Sequence, residues 1–164
     1  MSLFFKWGGI ALVMIGAMLV SREYESYLDK RICEYRGLVA MISHAESEIG
    51  KSLAYGEGLW SSFQSDELEK IGLLPLLRKG FSLKAAFDEC KGKMTIARES
   101  KEEISELFAT LGRGYRDSEL RLLGEIKDSL SAELDLQSDA AEKNKKIARA
   151  LLLGGALTVA IMGI

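Results

Sequence analysis

The chain has 164 residues but only one proline, one histidine and two cysteines, and its two ends carry almost no charge. Each scarcity excludes something. Zinc centres draw three or four convergent ligands from Cys, His and carboxylates. His44 has no second histidine to join it, and Cys33 and Cys90 lie far apart in sequence. In a cytoplasmic domain both are expected as free, packed thiols, whereas an outward-facing domain would make a disulfide plausible. Gly112-Arg113-Gly114 lacks the Lys-Ser or Lys-Thr of a phosphate loop and follows no strand pattern. No Ser, His and Asp assemble with any specificity. The reading is of a chain that is not an enzyme, with no catalytic residue, no bound metal and no cofactor. Charge of one sign is also missing: 22 basic residues against 24 acidic give a net charge of −2, which does not indicate a nucleic-acid surface.

What is present is apolar length at both ends. Trp7 to Val20 is 14 residues without a charge, and Ala150 to Ile164 is 15 more. All 24 acidic residues lie between them. A bilayer span needs about 20 apolar residues and at least roughly 17. The first stretch reaches 18 from Leu3 if Lys6 snorkels to the headgroups, and the second reaches 17 from Ala148 if Arg149 does the same. A cleaved signal peptide fits less well, because Leu19-Val20 runs into Arg22-Glu23 with no small-x-small site at the boundary. The sequence therefore divides into an anchor at 1–21, a helical domain at 22–147 and a second anchor at 148–164.

Orientation follows from the Lys and Arg beside short spans. Arg22, Lys30 and Arg31 follow the first anchor, and Lys143, Lys145, Lys146 and Arg149 precede the second. The central domain is expected to face the cytoplasm of a two-pass protein whose first partner is the lipid bilayer. Small residues recur in the anchors at Gly9, Gly16, Ala150, Gly154, Ala156 and Ala160. Spacings of four place such residues on common faces, where helices in lipid approach closely.

The middle reads as all-α, a helical bundle on a membrane-proximal stalk flanked by the two transmembrane helices. A helix from Glu23 to about Ile49 carries Leu28, Ile32, Tyr35, Leu38, Val39, Ile42, Ala45 and Ile49 at intervals of three and four. A break is expected across Gly50 to Gly58, then a short helix through Leu59, Trp60 and Phe63. Asp66 with Glu69 resembles a capping box, and Pro75 suits the first turn of a helix. Ser82 is expected to cap a helix burying Leu83, Ala86, Phe87 and Cys90. A further helix runs from about Thr95 to Gly112, and the last from Tyr115 onward, with Gly114 as the bend between them.

Two exposed features are candidate interaction surfaces. Gly114, Tyr115, Arg116, Asp117 and Glu119 crowd the junction before the last helix, although acids in a first helical turn are also explained by the helix dipole. The stretch Tyr55 to Phe63 holds Trp60, for which core packing is the simpler account.

Taken together, the pattern resembles the stage III sporulation protein AB family of endospore-forming bacteria. The resemblance rests on Glu46-Ser47-Glu48-Ile49, on Gly80 with Ser82-Leu83 and Ala86-Phe87, and on Gly114-Tyr115-Arg116-Asp117-Ser118-Glu119. Arg113 and Arg121 stand where the family has leucine and glutamine. The resemblance implies a component of the mother-cell to forespore channel complex. It also implies a domain in the mother-cell cytoplasm, similar to those of the inner-membrane platform protein of type II secretion and type IV pilus systems. A cytoplasmic ATPase and other membrane components would be its partners.

Overall fold

The computed structural model describes residues 2–51 and 58–162, with side chains described at 15, 16, 18–51, 59, 60, 62–147 and 150. Every element among the described residues is helical. The α-helices are α1 (Ser2–Lys51), α2 (Gly58–Ser61), α3 (Asp66–Ile71), α4 (Leu73–Arg78), α5 (Leu83–Cys90), α6 (Arg98–Thr110) and α7 (Arg116–Met162), with a 3-10 turn at Lys91–Lys93. The chain forms two compact units, one of Met1–Asp29 with Gln137–Ile164 and one of Lys30–Leu136.

The Lys30–Leu136 unit holds the main hydrophobic core. Tyr35, Leu38, Ile42, Ala45 and Ile49 of the α1 stripe are buried, and Met41 joins them from a position the stripe did not include. Leu123 and Leu130 of α7 are buried, with Leu122, Ile126 and Leu134 packed partly against the same core. Phe87 of α5 and Phe108 of α6 meet edge to face with ring centroids 5.3 Å apart, a favourable aromatic arrangement. Gly37 explains how α3 reaches α1. A Cβ at that position would lie 3.1 Å from Ser65 Oγ and 3.2 Å from Leu68 Cγ.

Several boundaries differ from expectation for local reasons. α1 ends at Lys51, two residues past Ile49, and the expected break around Leu53 lies outside the described residues. Asp66 is not the cap of α3. Ser65 is extended and its Oγ accepts from the Leu68 N–H at 3.5 Å, while Glu69 turns to a two-pronged contact with Arg78 at 2.7 and 3.1 Å. Pro75 is the third residue of α4, within its first turn, where a missing N–H costs no helical bond. Ser82 does cap α5, accepting from the Ala85 N–H at 3.3 Å. α6 begins at Arg98, because the N–H groups of Thr95 and Ala97 are taken by side chains of α1.

In the other unit Leu28 and Ala141 are buried, and Lys145 Nζ donates to Asp29 Oδ1 at 2.9 Å, tying α1 to α7. Ile15, Met18, Leu19 and Val20 are exposed, as are Tyr24 and Tyr27. Among the described residues no helix is long and apolar enough to cross a membrane. Of the anchors expected at 1–21 and 148–164, residues 2–21 and 148–162 fall on helical backbone, but their side chains, apart from 15, 16, 18–21 and 150, lie outside the described residues.

Candidate functional site

The junction between α6 and α7 is a built turn. Leu111 leaves α6 with its N–H on Leu107 O at 2.9 Å. Gly112 then takes φ of 86°, a left-handed conformation that glycine adopts without a Cβ clash. Glu119 closes the turn from the first coils of α7: its Oε1 accepts the N–H of Gly112 and of Gly114, each at 2.8 Å. Gly114 fits this closure because a Cβ there would meet Ser118 Oγ at 3.3 Å and Glu119 Cγ at 3.4 Å. The Arg116 guanidinium donates to the Gly50 carbonyl, fastening the start of α7 to the end of α1.

The five residues expected as one surface therefore divide. Gly114, Tyr115, Arg116 and Asp117 are exposed, with Tyr115 at 89%. Glu119 is 4% exposed, and its Oε2 is buried with no hydrogen-bond partner among the described residues. Glu119 shapes the surface and is not part of it. The bend lies at Gly112 as much as at Gly114, since only Gly112 has positive φ.

Trp60 lies near this turn. A groove of about 590 Å³ is lined by Trp60, Phe81, Leu83 and Leu111 and reaches Gly112 and Arg113. Two features that stood apart in sequence thus share one face of this unit. Tyr55 of the same expected stretch lies outside the described residues, and Phe63 is core.

A second clamp joins α1 to the segment before α6. Glu34, 1% exposed, accepts at Oε2 from Thr95 N–H at 2.5 Å and Thr95 Oγ1 at 2.9 Å. Its Oε1 lies 3.8 Å from Lys30 Nζ and has no hydrogen-bond partner among the described residues. Next to it, the fully buried Tyr35 hydroxyl accepts the Ala97 N–H at 3.0 Å and shares a hydrogen bond with Ser100 Oγ at 3.1 Å. The available signal was spacing: Glu34 stands four and seven residues before Leu38 and Met41, on their side of the helix.

Several other titratable groups have partners within the fold. His44 Nε2–H donates to the Leu59 carbonyl at 2.9 Å, and its ring lies 5.3 Å from that of Phe63. No group of His, Cys, Asp and Glu among the described residues could hold a metal. Cys33 and Cys90 are both free, the first half-buried and the second buried, and burial pushes the Cys90 thiol above its ordinary pKa. Hydrogen bonding to Glu46 at 2.5 Å raises Lys127. The Lys91 ammonium, bonded to Asp88 at 2.7 Å, lowers that carboxyl.

Of the basic residues beside the expected spans, Arg22, Lys143 and Lys146 are exposed. Lys30 is exposed beside Glu34, Arg31 approaches Glu133 at 4.0 Å, and Lys145 pairs with Asp29. The Arg149 side chain lies outside the described residues, as do those of Gly9, Gly154, Ala156 and Ala160 in the expected packing faces. Gly16 and Ala150 are described and exposed.

The family model for stage III sporulation protein AB matches residues 79–164. That stretch holds α5, α6, the Glu119 turn and α7, and leaves out α1 to α4. No curated protein sequence and no solved structure matches the chain. The family is not a known enzyme family, and it implies a role in sporulation. With more than half of its length matched, this chain belongs to the stage III sporulation protein AB family.

Proposed function

We propose that the protein is a noncatalytic membrane platform or adaptor in the channel complex between mother cell and forespore, coupling a cytoplasmic ATPase to membrane components. The observation that carries the membrane part is the exposed run Ile15, Met18, Leu19 and Val20, which no described residue covers. Exposed apolar side chains in contiguous patches mark interaction or membrane sites. Tyr24 and Tyr27 follow them, exposed, where aromatic side chains favour the headgroup layer. The basic residues at 22, 30, 31, 143, 145 and 146 support a cytoplasmic orientation for the central domain.

The coupling part is supported by the turn. α7 starts there, at Arg116, and its backbone is helical to Met162, so the exposed turn and the apolar C-terminal stretch are joined by helix alone. In this reading Tyr115 and its neighbours meet a partner protein. The fold likeness to secretion and pilus platform proteins belongs to the same proposal.

The test is recovery of partners from spore-forming cells after mild crosslinking and detergent extraction. The proposal expects the ATPase and other complex components with the native chain, and their loss with Tyr115→Ala/Asp117→Lys while the protein stays folded. Recovery of membrane components without any ATPase would replace it with a membrane-anchored scaffold or signalling module.

A further inference from the structure

The groove beside the α6–α7 turn has the chemistry of a docking site. Its floor and walls are apolar, with Trp60, Leu83 and Leu111 half-buried and Phe81 still 49% exposed. At about 590 Å³ it falls in the range of about 300–1,000 Å³ that holds a drug-sized ligand, so it takes several side chains rather than one. No Asp or Glu lines it, yet Lys84 and Arg113 do. Neither cation forms an ion pair within 4.0 Å or a side-chain hydrogen bond among the described residues. Arg36, Lys70 and Lys79 of the same unit are exposed and likewise without an ion pair among the described residues, and Lys84 acts on Asp88 only through space. What marks Lys84 and Arg113 is their place on an apolar groove that no carboxylate lines.

We infer that this groove receives an acidic amphipathic helix from another protein. Leucine-type side chains spaced three and four apart would enter between Trp60, Phe81 and Leu83, and flanking carboxylates would meet Lys84 and Arg113. Helix-in-groove binding works through such anchors. Strand addition needs a sheet edge, and there is no strand among the described residues. The rim charges would set orientation and association rate more than raw affinity. The inference needs only the groove and stands or falls independently of the sporulation complex.

The test uses the full chain in detergent with Trp7→Phe, so that Trp60 is the one remaining tryptophan. The probe is a synthetic helical peptide with leucines at i, i+3, i+4 and i+7 flanked by glutamates, beside its twin with lysines in place of the glutamates. The expected result is a saturable change in Trp60 emission with the acidic peptide and at least tenfold weaker binding of the basic one. Lys84→Glu/Arg113→Glu should reverse that preference, and Phe81→Ser should abolish both, with helical circular dichroism unchanged. Equal binding of the two peptides, binding of neither, or an unreversed preference in the double variant overturns the inference. So does an equal response to phosphatidylglycerol vesicles, which assigns the cations to lipid headgroups. A concentration-dependent response of the chain alone assigns the groove to a second copy.

Discussion

The two connections that flank α6 are held by the same device in different settings. Before the helix, Glu34 takes two donors of Thr95 from 61 residues away, and after it Glu119 takes two N–H groups five and seven residues away. Both carboxylates are at least 96% buried, and each leaves one oxygen without a hydrogen bond among the described residues. The first clamp seals a segment inside the bundle, with Met94 and Ile96 buried beside it. The second holds a segment outward, with Tyr115 at its end. One carboxylate joins distant parts of the core and the other orders a surface, so their removal should have different consequences.

The largest effect belongs to Glu34. Glu34→Ala strands the Thr95 donors and should cost about 3 kcal/mol in urea unfolding, since bonds to a charged group are each worth about 1.5–3 kcal/mol. Glu34→Gln, which keeps an acceptor in place, should cost less than half as much. Equal losses for the two variants would mean that packing, and not the hydrogen bonds, carries the clamp.

Glu119→Ala should cost about 1–2 kcal/mol, because the freed N–H groups of an exposed turn regain water. Its signature is local: amide exchange at Gly112 and Gly114 should accelerate while the α1 core amides keep their protection. Global loss of protection would erase the distinction between the two clamps.

The smallest effect comes from a carboxylate on the surface. The Lys91 hydrogen bond holds the Asp88 pKa below its ordinary 3.8. The unfolded chain therefore binds the proton first as pH falls. The contribution is present above about 3.8 and is lost as pH drops through the depressed folded value. Asp88→Asn should flatten only that acid limb of the stability curve, and slightly, because exposed pairs are weak. A change at neutral pH as large as that of Glu119→Ala would contradict the ranking.

These same contrasts show what sequence could disclose. The stripe of α1, the Ser82 cap and the Gly112–Glu119 junction rest on neighbours within one or two turns, so periodicity and residue type reveal them. The two roles inside the junction were harder to separate: charge and aromaticity mark Tyr115, Asp117 and Glu119 alike, and only burial removes Glu119 from the surface. Glu34 and Tyr35 act on residues more than 60 positions away. Local spacing puts both on the buried side of α1 but does not name their partners, and the start of α6 shifts from Thr95 to Arg98 because of them. Trp60 and Arg113 meet in one groove for the same reason, through tertiary packing that no local spacing encodes.

In the proposed function the Glu119 turn is a preorganised surface that presents Tyr115 to a partner protein. Placing a photoreactive residue at position 115 in sporulating cells, with Glu119 intact or changed to Ala, tests it most directly. The expected result is a specific crosslink to a protein of the complex with Glu119 present, and a several-fold weaker one with Glu119→Ala at equal protein level. Crosslinks only to lipid, or equal yields in both backgrounds, would contradict it.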